Sequence, residues 1–209
     1  MTDHMETEGH KGDASLDRLL FFSDGVFAIA ITLLSIELHP PEGWDGTLAG
    51  LLSAGGKMLA AFAISFVVIG IFWNTHRRIF STISRYSGVV FVLNLLLLGA
   101  IVLMPFVTSL LWAGAGSEPF FIYIGLVAVA GVLQGLFYAY AAFVADLVRP
   151  RWPWPRRVMT FLTISILPGA SCGLSLFALG GVWSTAGVLA GVLAVLVMAS
   201  ILVGRRYPA

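Results

Sequence analysis

The chain has 209 residues, of which 58% are hydrophobic and 11% are charged, and its mean hydropathy is +0.93. A soluble domain carries about 25% charged residues, so this composition excludes an ordinary soluble protein and indicates an all-α integral membrane protein. The formal net charge of +1 identifies no partner. The single cysteine, Cys172, excludes a disulfide within the chain.

The first 17 residues differ from the rest of the chain. They carry several acidic residues and contain no apolar run. A cleavable signal peptide would instead place basic residues before an apolar stretch. We therefore predict that residues 1–17 form a disordered, acidic cytoplasmic tail.

Apolar segments long enough to cross a bilayer follow one another along the remaining chain. A spanning helix needs about 20 apolar residues. The predicted spans are 19–38, 48–75, 86–112, 120–145, 158–179 and 184–204. Six spans place both termini on the same side of the membrane, and residues 18–206 are predicted to form a single six-helix transmembrane domain.

The lysines and arginines orient these spans. Basic residues concentrate in cytoplasmic loops. If the N-terminus is inside, the cytoplasmic segments contain Lys11, Arg18, Arg77, Arg78, Arg85, Arg149, Arg151, Arg156, Arg157, Arg205 and Arg206, and the outer segments contain Lys57 alone. Both termini are therefore predicted to be cytoplasmic. The Trp, Pro and Arg residues of 149–157 suit a turn at the headgroup region, and no nucleic-acid partner is predicted.

Polar residues lie at similar depth in the cytoplasmic halves of the first three spans. They are Arg18, Asp24, Trp73, His76 and Asn94. Buried ionisable groups in a bilayer pair with one another or line water. Arg18 and Asp24 lie about 120° apart around a helix, so each needs a partner on another segment. A proton relay and a structural clasp between helices both fit this pattern, and hydrogen-bonded clasps are the commoner case.

A second stripe of the first span lies away from Asp24. At 100° per residue, Ile29 is about 140° from Asp24. The stripe consists of Phe22, Ile29, Thr32, Leu33 and Ile36. The periodicity alone indicates a face that contacts lipid or packs in a core.

Three motifs in these spans resemble a known family. The first is Arg18-x-x-x-Phe22-Ser23-Asp24, within the stretch RLLFFSDGVFAIAITLL of residues 18–34. The others are Trp73-Asn74-x-His76-Arg77 and the run that begins Asn94-Leu-Leu-Leu-Leu. Together they resemble the signature of the transmembrane-protein-175 potassium channels, which are known from animal endosomes and lysosomes and from bacteria.

The resemblance implies an architecture and a set of site residues. It implies a bacterial homotetramer with six helices per subunit, in which the first helix of each subunit lines a central pore. By this resemblance Ile29 is the principal hydrophobic constriction, and Thr32, Leu33 and Ile36 face the same pore. The resemblance also implies a structural polar network, formed by Arg18, Ser23, Asp24, Trp73, His76 and Asn94.

The function implied is a potassium-preferring cation channel, a multi-pass protein of the bacterial plasma membrane. Its expected partners are potassium ions, the lipid bilayer and other copies of the chain, and it needs no cofactor or resident metal. The chain has no Thr-Val-Gly-Tyr-Gly loop, so a filter of backbone carbonyls is not expected. Selectivity would come from a narrow ring of side chains and the cost of removing water from the ion.

Two other classes of function fit parts of this pattern. A secondary transporter or a proton-conducting protein could use the Asp24 and His76 pair. Transporters commonly show internal repeats and interrupted helices near the midplane, and neither is clear in this sequence. An intramembrane enzyme is not predicted, because the chain lacks a Ser/His pair, an aspartate dyad and a His-Glu-x-x-His motif.

Overall fold

The computed structural model describes residues 2–149, 152–162 and 164, with side chains from Ala14 onward. These residues are helical apart from connecting turns and one isolated β-bridge. The elements are α1 (Thr2–Ile36), α2 (Leu48–Phe80), α3 (Gly88–Val102), α4 (Met104–Ala113), α5 (Glu118–Ala139), a π-helix (Tyr140–Val144) and α6 (Trp154–Phe161).

Four helical segments are long and apolar enough to cross a membrane. They are Ala14–Ile36, Leu48–Phe80, Gly88–Ala113 and Glu118–Val144. The first four spans predicted from the sequence are therefore confirmed as apolar helices of spanning length. The predicted spans 158–179 and 184–204 lie almost entirely outside the described residues, so the six-helix count and the side on which the termini lie stay predictions.

The first helix begins earlier than expected. Its backbone runs from Thr2, whereas residues 1–17 were predicted to be disordered. Residues 2–17 contain no proline and, beside Gly9 and Gly12, several good helix formers, so the helix can extend outward from the apolar span. The division into a tail and one six-helix domain stays a prediction.

The third span is built from two helices. Pro105 has no N–H to donate, and its ring would clash with the carbonyl of Ile101 in a regular helix. Instead, α3 ends at Val102 and the Leu103 N–H bonds to the Ile101 oxygen. Helix α4 then continues with a bond of 3.1 Å from the Val107 N–H to the Leu103 oxygen. The span is thus interrupted once and resumes on the far side of the proline.

The packing of α1 follows one stripe of its surface. Its buried side chains recur every three or four residues, as expected for one face of a helix. They are Leu16, Leu19, Ser23, Phe27, Ala30 and Leu34. This stripe packs against α2, α3 and α4, and it fixes which face of α1 turns away from the subunit.

Two loops at one end of the helices are joined by backbone hydrogen bonds. The isolated bridge pairs Ile83 with Val148 in antiparallel fashion. The Ser84 N–H donates to the Leu147 oxygen at 2.9 Å, and the Arg149 N–H donates to the Thr82 oxygen at 2.8 Å. The connection between α2 and α3 is therefore attached to the segment that follows the π-helix.

Arg157 stabilises the segment that follows the π-helix through three hydrogen bonds. Its guanidinium donates to the Ala142 oxygen at 2.6 Å, to the Trp152 oxygen through Nε at 3.0 Å, and to Asp146 Oδ1 at 3.0 Å. The Ala142 carbonyl lies in the last turn of the π-helix, where backbone acceptors lack partners within the helix. The arginine thus satisfies a helix end and holds Asp146, whose φ of 44° is positive.

We expect Arg157→Gln to lower the free energy of unfolding by about 1.5–3 kcal/mol, the range for hydrogen bonds to a charged group. The matched control is Arg149→Gln. Arg149 lies 3.7 Å from Asp146 and is 43% exposed, against 14% for Arg157, so its loss should cost less than ~1 kcal/mol. Thermal unfolding in detergent measures both variants, and equal losses would contradict the anchoring role of Arg157.

Candidate functional site

Helices α1 and α2 are joined by a hydrogen bond to the Asp24 carboxylate. The Trp73 indole Nε1 donates to Asp24 Oδ1 at 2.7 Å. The guanidinium of Arg77, one turn further along α2, lies 5.1 Å from the centre of the Trp73 ring. Asp24 is half-buried, and its partner on α2 is an aromatic donor rather than a basic residue.

A second, fully buried set of bonds joins α1, α2 and α3. Asn94 Nδ2 donates to Ser23 Oγ at 2.9 Å, and Ser23 Oγ donates to the Leu19 oxygen at 2.8 Å. Asn94 Oδ1 lies 2.7 Å from His76 Nε2 and can only accept, so Nε2 carries the proton. Ser23, His76 and Asn94 have no exposed surface. Asn94 is the junction, because it bonds to both other helices.

The imidazole of His76 is enclosed by aromatic rings. Its centre lies 4.6 Å from that of Phe80, 5.3 Å from that of Phe27 and 6.0 Å from that of Phe137. Within the described part of the chain, Nδ1 of His76 has no hydrogen-bond partner. The ring is therefore held in one orientation by a single hydrogen bond and by packing on three sides.

The structure brings together five of the six residues assigned to the polar network, namely Ser23, Asp24, Trp73, His76 and Asn94. Arg18 does not join them. It is exposed and lies about 120° from Asp24 around the helix. No bond links it to the other five within the described residues. The arginine needs no partner inside the subunit, because its charge is not buried there.

The remaining surface of α1 carries large apolar side chains that the described residues leave exposed to different degrees. Ile29 is 59% exposed, Leu33 36% and Ile36 65%. Thr32 is exposed on the same side, and its hydroxyl donates to the Ile29 oxygen at 2.8 Å, which leaves the lone pairs of that hydroxyl turned outward. The structure thus places the polar network and this apolar stripe on different faces of α1.

Of the four span candidates, α1 is the least covered. In its most apolar stretch 28% of the residues are buried, against 39%, 44% and 50% in the other three. A helix of this kind has a wide surface available to lipid or to another copy of the chain. That availability is what a pore-lining helix requires.

Three buried hydroxyl groups in the described helices form a cluster that the sequence did not predict. Thr108 Oγ1 lies 2.7 Å from Ser65 Oγ, which lies 3.2 Å from the Tyr123 hydroxyl. All three are buried, and they link α2, α4 and α5. Each of these helices contributes one hydroxyl to the cluster, so no spacing within one segment indicates it. Only the packing of the helices shows that the three hydroxyls meet. Among the described residues no group of three or more His, Cys, Asp or Glu side chains is placed to hold a metal ion.

Part of the chain that includes both faces of α1 matches a known protein family. Residues 18–105 match the family model described as endosomal/lysosomal potassium channel TMEM175. Residues 18–105 of this chain are therefore similar to that family. The part that matches contains α1 from Arg18 onward, α2, α3 and the start of α4, and therefore both the polar network and the exposed stripe.

Individual channel proteins are similar to parts of the chain. A potassium channel of Streptomyces collinus is 42% identical over 95 residues, which cover 45% of this chain and 46% of that protein. A potassium channel of Chamaesiphon minutus is 39% identical over 128 residues, covering 59% and 60%. The human endosomal/lysosomal proton channel TMEM175 is 25% identical over 153 residues, covering 70% of this chain and 30% of that one. The matched segments thus span about half of the bacterial relatives and under a third of the human protein.

The fold has a counterpart among solved structures. The crystal structure of a lysosomal potassium-selective channel TMEM175 homolog from Chamaesiphon minutus superposes with a TM-score of 0.67 at 24% sequence identity. The match covers 90% of this chain and 98% of that one. At this identity the likeness shows the fold alone.

Proposed function

We propose that four copies of this chain form a potassium-preferring cation channel in the bacterial plasma membrane, with α1 of each copy lining the pore. The observation that carries the proposal is the uncovered stripe of Ile29, Leu33 and Ile36 on α1, set on a different face from the buried polar network. One subunit supplies a single α1 and cannot enclose a pore, so the stripe needs neighbours. Similar bacterial proteins are named potassium channels, which supports the same function.

Ile29 is the proposed constriction. Four isoleucine side chains converging on one axis make a narrow apolar ring, and such rings can gate by excluding water. An ion passes only if the ring widens or the ion sheds water. Potassium holds its hydration shell less tightly than sodium, so the ring favours potassium. The outward lone pairs of Thr32 would help to replace lost water one turn further along the pore.

The polar network is proposed to position α1 and not to bind the permeant ion. Ser23 and Asp24 precede Ile29 by six and five residues, which is about 9 Å and 7.5 Å along the helix. Their bonds to Asn94 and Trp73 fix both the rotation and the height of α1 against α2 and α3. The direction in which Ile29 points follows from that rotation.

Proton conduction through Asp24 and His76 is the alternative, and the animal relatives are named proton channels. The hydrogen bonds favour a structural clasp between helices over a proton relay. The His76–Asn94–Ser23 chain ends on the Leu19 carbonyl, which cannot pass a proton on. Asp24 bonds to Trp73 and not to this chain. Within the described residues the two titratable groups are thus on separate branches.

Currents in planar bilayers test the proposal against both alternatives. With potassium on one side and sodium on the other, at equal pH, we expect the reversal potential to lie toward the potassium equilibrium potential. A pH gradient should move it little. A reversal potential that follows the pH gradient would contradict potassium preference, and flux that saturates and couples to a second ion would indicate a transporter. Native mass spectrometry of the same sample should show a tetramer.

A further inference from the structure

The exposed stripe of α1 lacks a side chain at one position, Gly25. Phe22 precedes Gly25 by three residues and Ile29 follows it by four, so the three positions lie within about 60° of one another around the helix. Phe22 is 51% exposed and Ile29 is 59% exposed. Gly25 is therefore a gap between two exposed apolar side chains, about 4.5 Å along the axis from Phe22 and about 6 Å from Ile29.

Packing within the described part of the subunit does not require a glycine at this position. A Cβ built on Gly25 would meet no atom within 4 Å. Gly55 of α2 differs, because a Cβ there would lie 3.2 Å from Pro41 Cγ. Glycine is also a poorer helix former than alanine or leucine. The missing side chain at Gly25 therefore has its main consequence on the outer surface of α1.

That consequence is an uncovered main-chain oxygen. A helical side chain covers the turn on the N-terminal side of its own Cα, which for position 25 includes the Phe21 carbonyl. In the helix this oxygen accepts the Gly25 N–H, and it retains a second lone pair. With no side chain at Gly25, a water molecule can donate to that lone pair. Between Phe22 and Ile29 the stripe thus offers both open space and an outward-facing acceptor.

We propose that the gap at Gly25 forms a water-filled vestibule of the pore, on the N-terminal side of Ile29, that holds a potassium ion with its hydration shell. The inference rests on the proposed function, because four copies of α1 must surround one axis. Four Gly25 positions leave the pore wider than at Ile29, and four Phe21 carbonyls accept hydrogen bonds from the waters of the ion. Carbonyl dipoles stabilise cations in channels. The ion is hydrated at Gly25 and sheds water only at Ile29, one turn further along.

Single-channel recording of Gly25→Leu tests the vestibule. Leucine fills the gap with a second apolar ring that excludes water, so we expect the potassium conductance to fall about tenfold. The matched control is Gly99→Leu, because Gly99 is an exposed glycine of α3 at which a Cβ would also meet no atom within 4 Å. This control should leave the conductance unchanged. Native mass spectrometry should show a tetramer for both variants.

A cysteine variant keeps the test open if leucine disturbs assembly. In a Cys172→Ser background, which removes the single native thiol, Gly25→Cys should react with a water-soluble, positively charged methanethiosulfonate, and the current should then be blocked. Gly99→Cys should keep its current under the same treatment.

Three results would overturn the vestibule. They are a current in Gly25→Cys that the reagent does not change, an equal loss of conductance in Gly99→Leu, and loss of the tetramer in Gly25→Ala, which would make Gly25 a contact between helices. The first two, with potassium current in the wild type, would leave the proposed channel intact. A wild-type protein that carries no cation current would overturn both proposals.

Discussion

Ile29→Ala is expected to raise the single-channel potassium conductance several-fold and to lower the potassium-to-sodium permeability ratio about tenfold. Removing four branched side chains from the proposed ring admits water, so sodium no longer has to shed its hydration shell. A tenfold change corresponds to ~1.4 kcal/mol between the two ions. Ile29 is 59% exposed in the subunit, so its truncation should leave subunit folding unchanged. Single-channel recording under bi-ionic conditions measures both quantities.

The matched control is Ile122→Ala on α5. Ile122 is also a half-exposed isoleucine, with 49% of its surface uncovered, but it lies on another helix. Ile31 is a poorer control, because it packs against the buried core. Ile122→Ala should change neither conductance nor selectivity, and native mass spectrometry should give a tetramer for both variants. Equal effects of the two substitutions would show that Ile29 is not the constriction.

Asn94→Ala is expected to lower the free energy of unfolding by about 2–4 kcal/mol. The substitution removes two bonds at once, those to Ser23 Oγ and His76 Nε2. It leaves the His76 Nε2–H buried without a partner, at about 1–3 kcal/mol. Ser23 Oγ loses one bond, worth about 0.5–1.5 kcal/mol, and keeps its bond to the Leu19 oxygen. Thermal unfolding in detergent and the yield of tetramer measure the loss.

Asn74→Ala is the control for this substitution. Asn74 lies on α2 two residues before His76, and it is exposed, so its truncation should change stability little. Any Asn94→Ala protein that folds should retain the ion preference of the wild type, because the network positions α1 and does not contact the ion. A stable Asn94→Ala protein with altered ion preference would contradict the clasp and place Asn94 in the permeation path.

Several features of the fold could be predicted from local pattern. A span of about 20 apolar residues has few alternatives to a helix, because every backbone polar group in a bilayer must be bonded within the segment. That constraint is why the first four spans coincide with apolar helices in the structure. The 3.6-residue period of α1 likewise predicts, without any knowledge of the packing, that Asp24 and Ile29 lie on different faces of the helix.

Other features depended on contacts between distant segments. The sequence offered Trp73, His76 and Asn94 as partners for Asp24 without choosing among them, and the structure pairs Asp24 with Trp73. It included Arg18 in the network, whereas the helix rotation leaves Arg18 exposed. No local pattern in the sequence predicted the bridge between Ile83 and Val148. Two loops can pair only if the packing of the helices places them side by side.

The sequence by itself determined the class of the protein, the helices that could cross a membrane and the two faces of α1. These follow from composition, length and the 3.6-residue period, which act within one segment. Only the tertiary structure decided which polar groups meet, which face of α1 is buried and which basic loops are joined. The reason is geometric: hydrogen bonds reach about 3 Å, and whether Asn94 lies that close to Ser23 is set by the packing of three helices against one another.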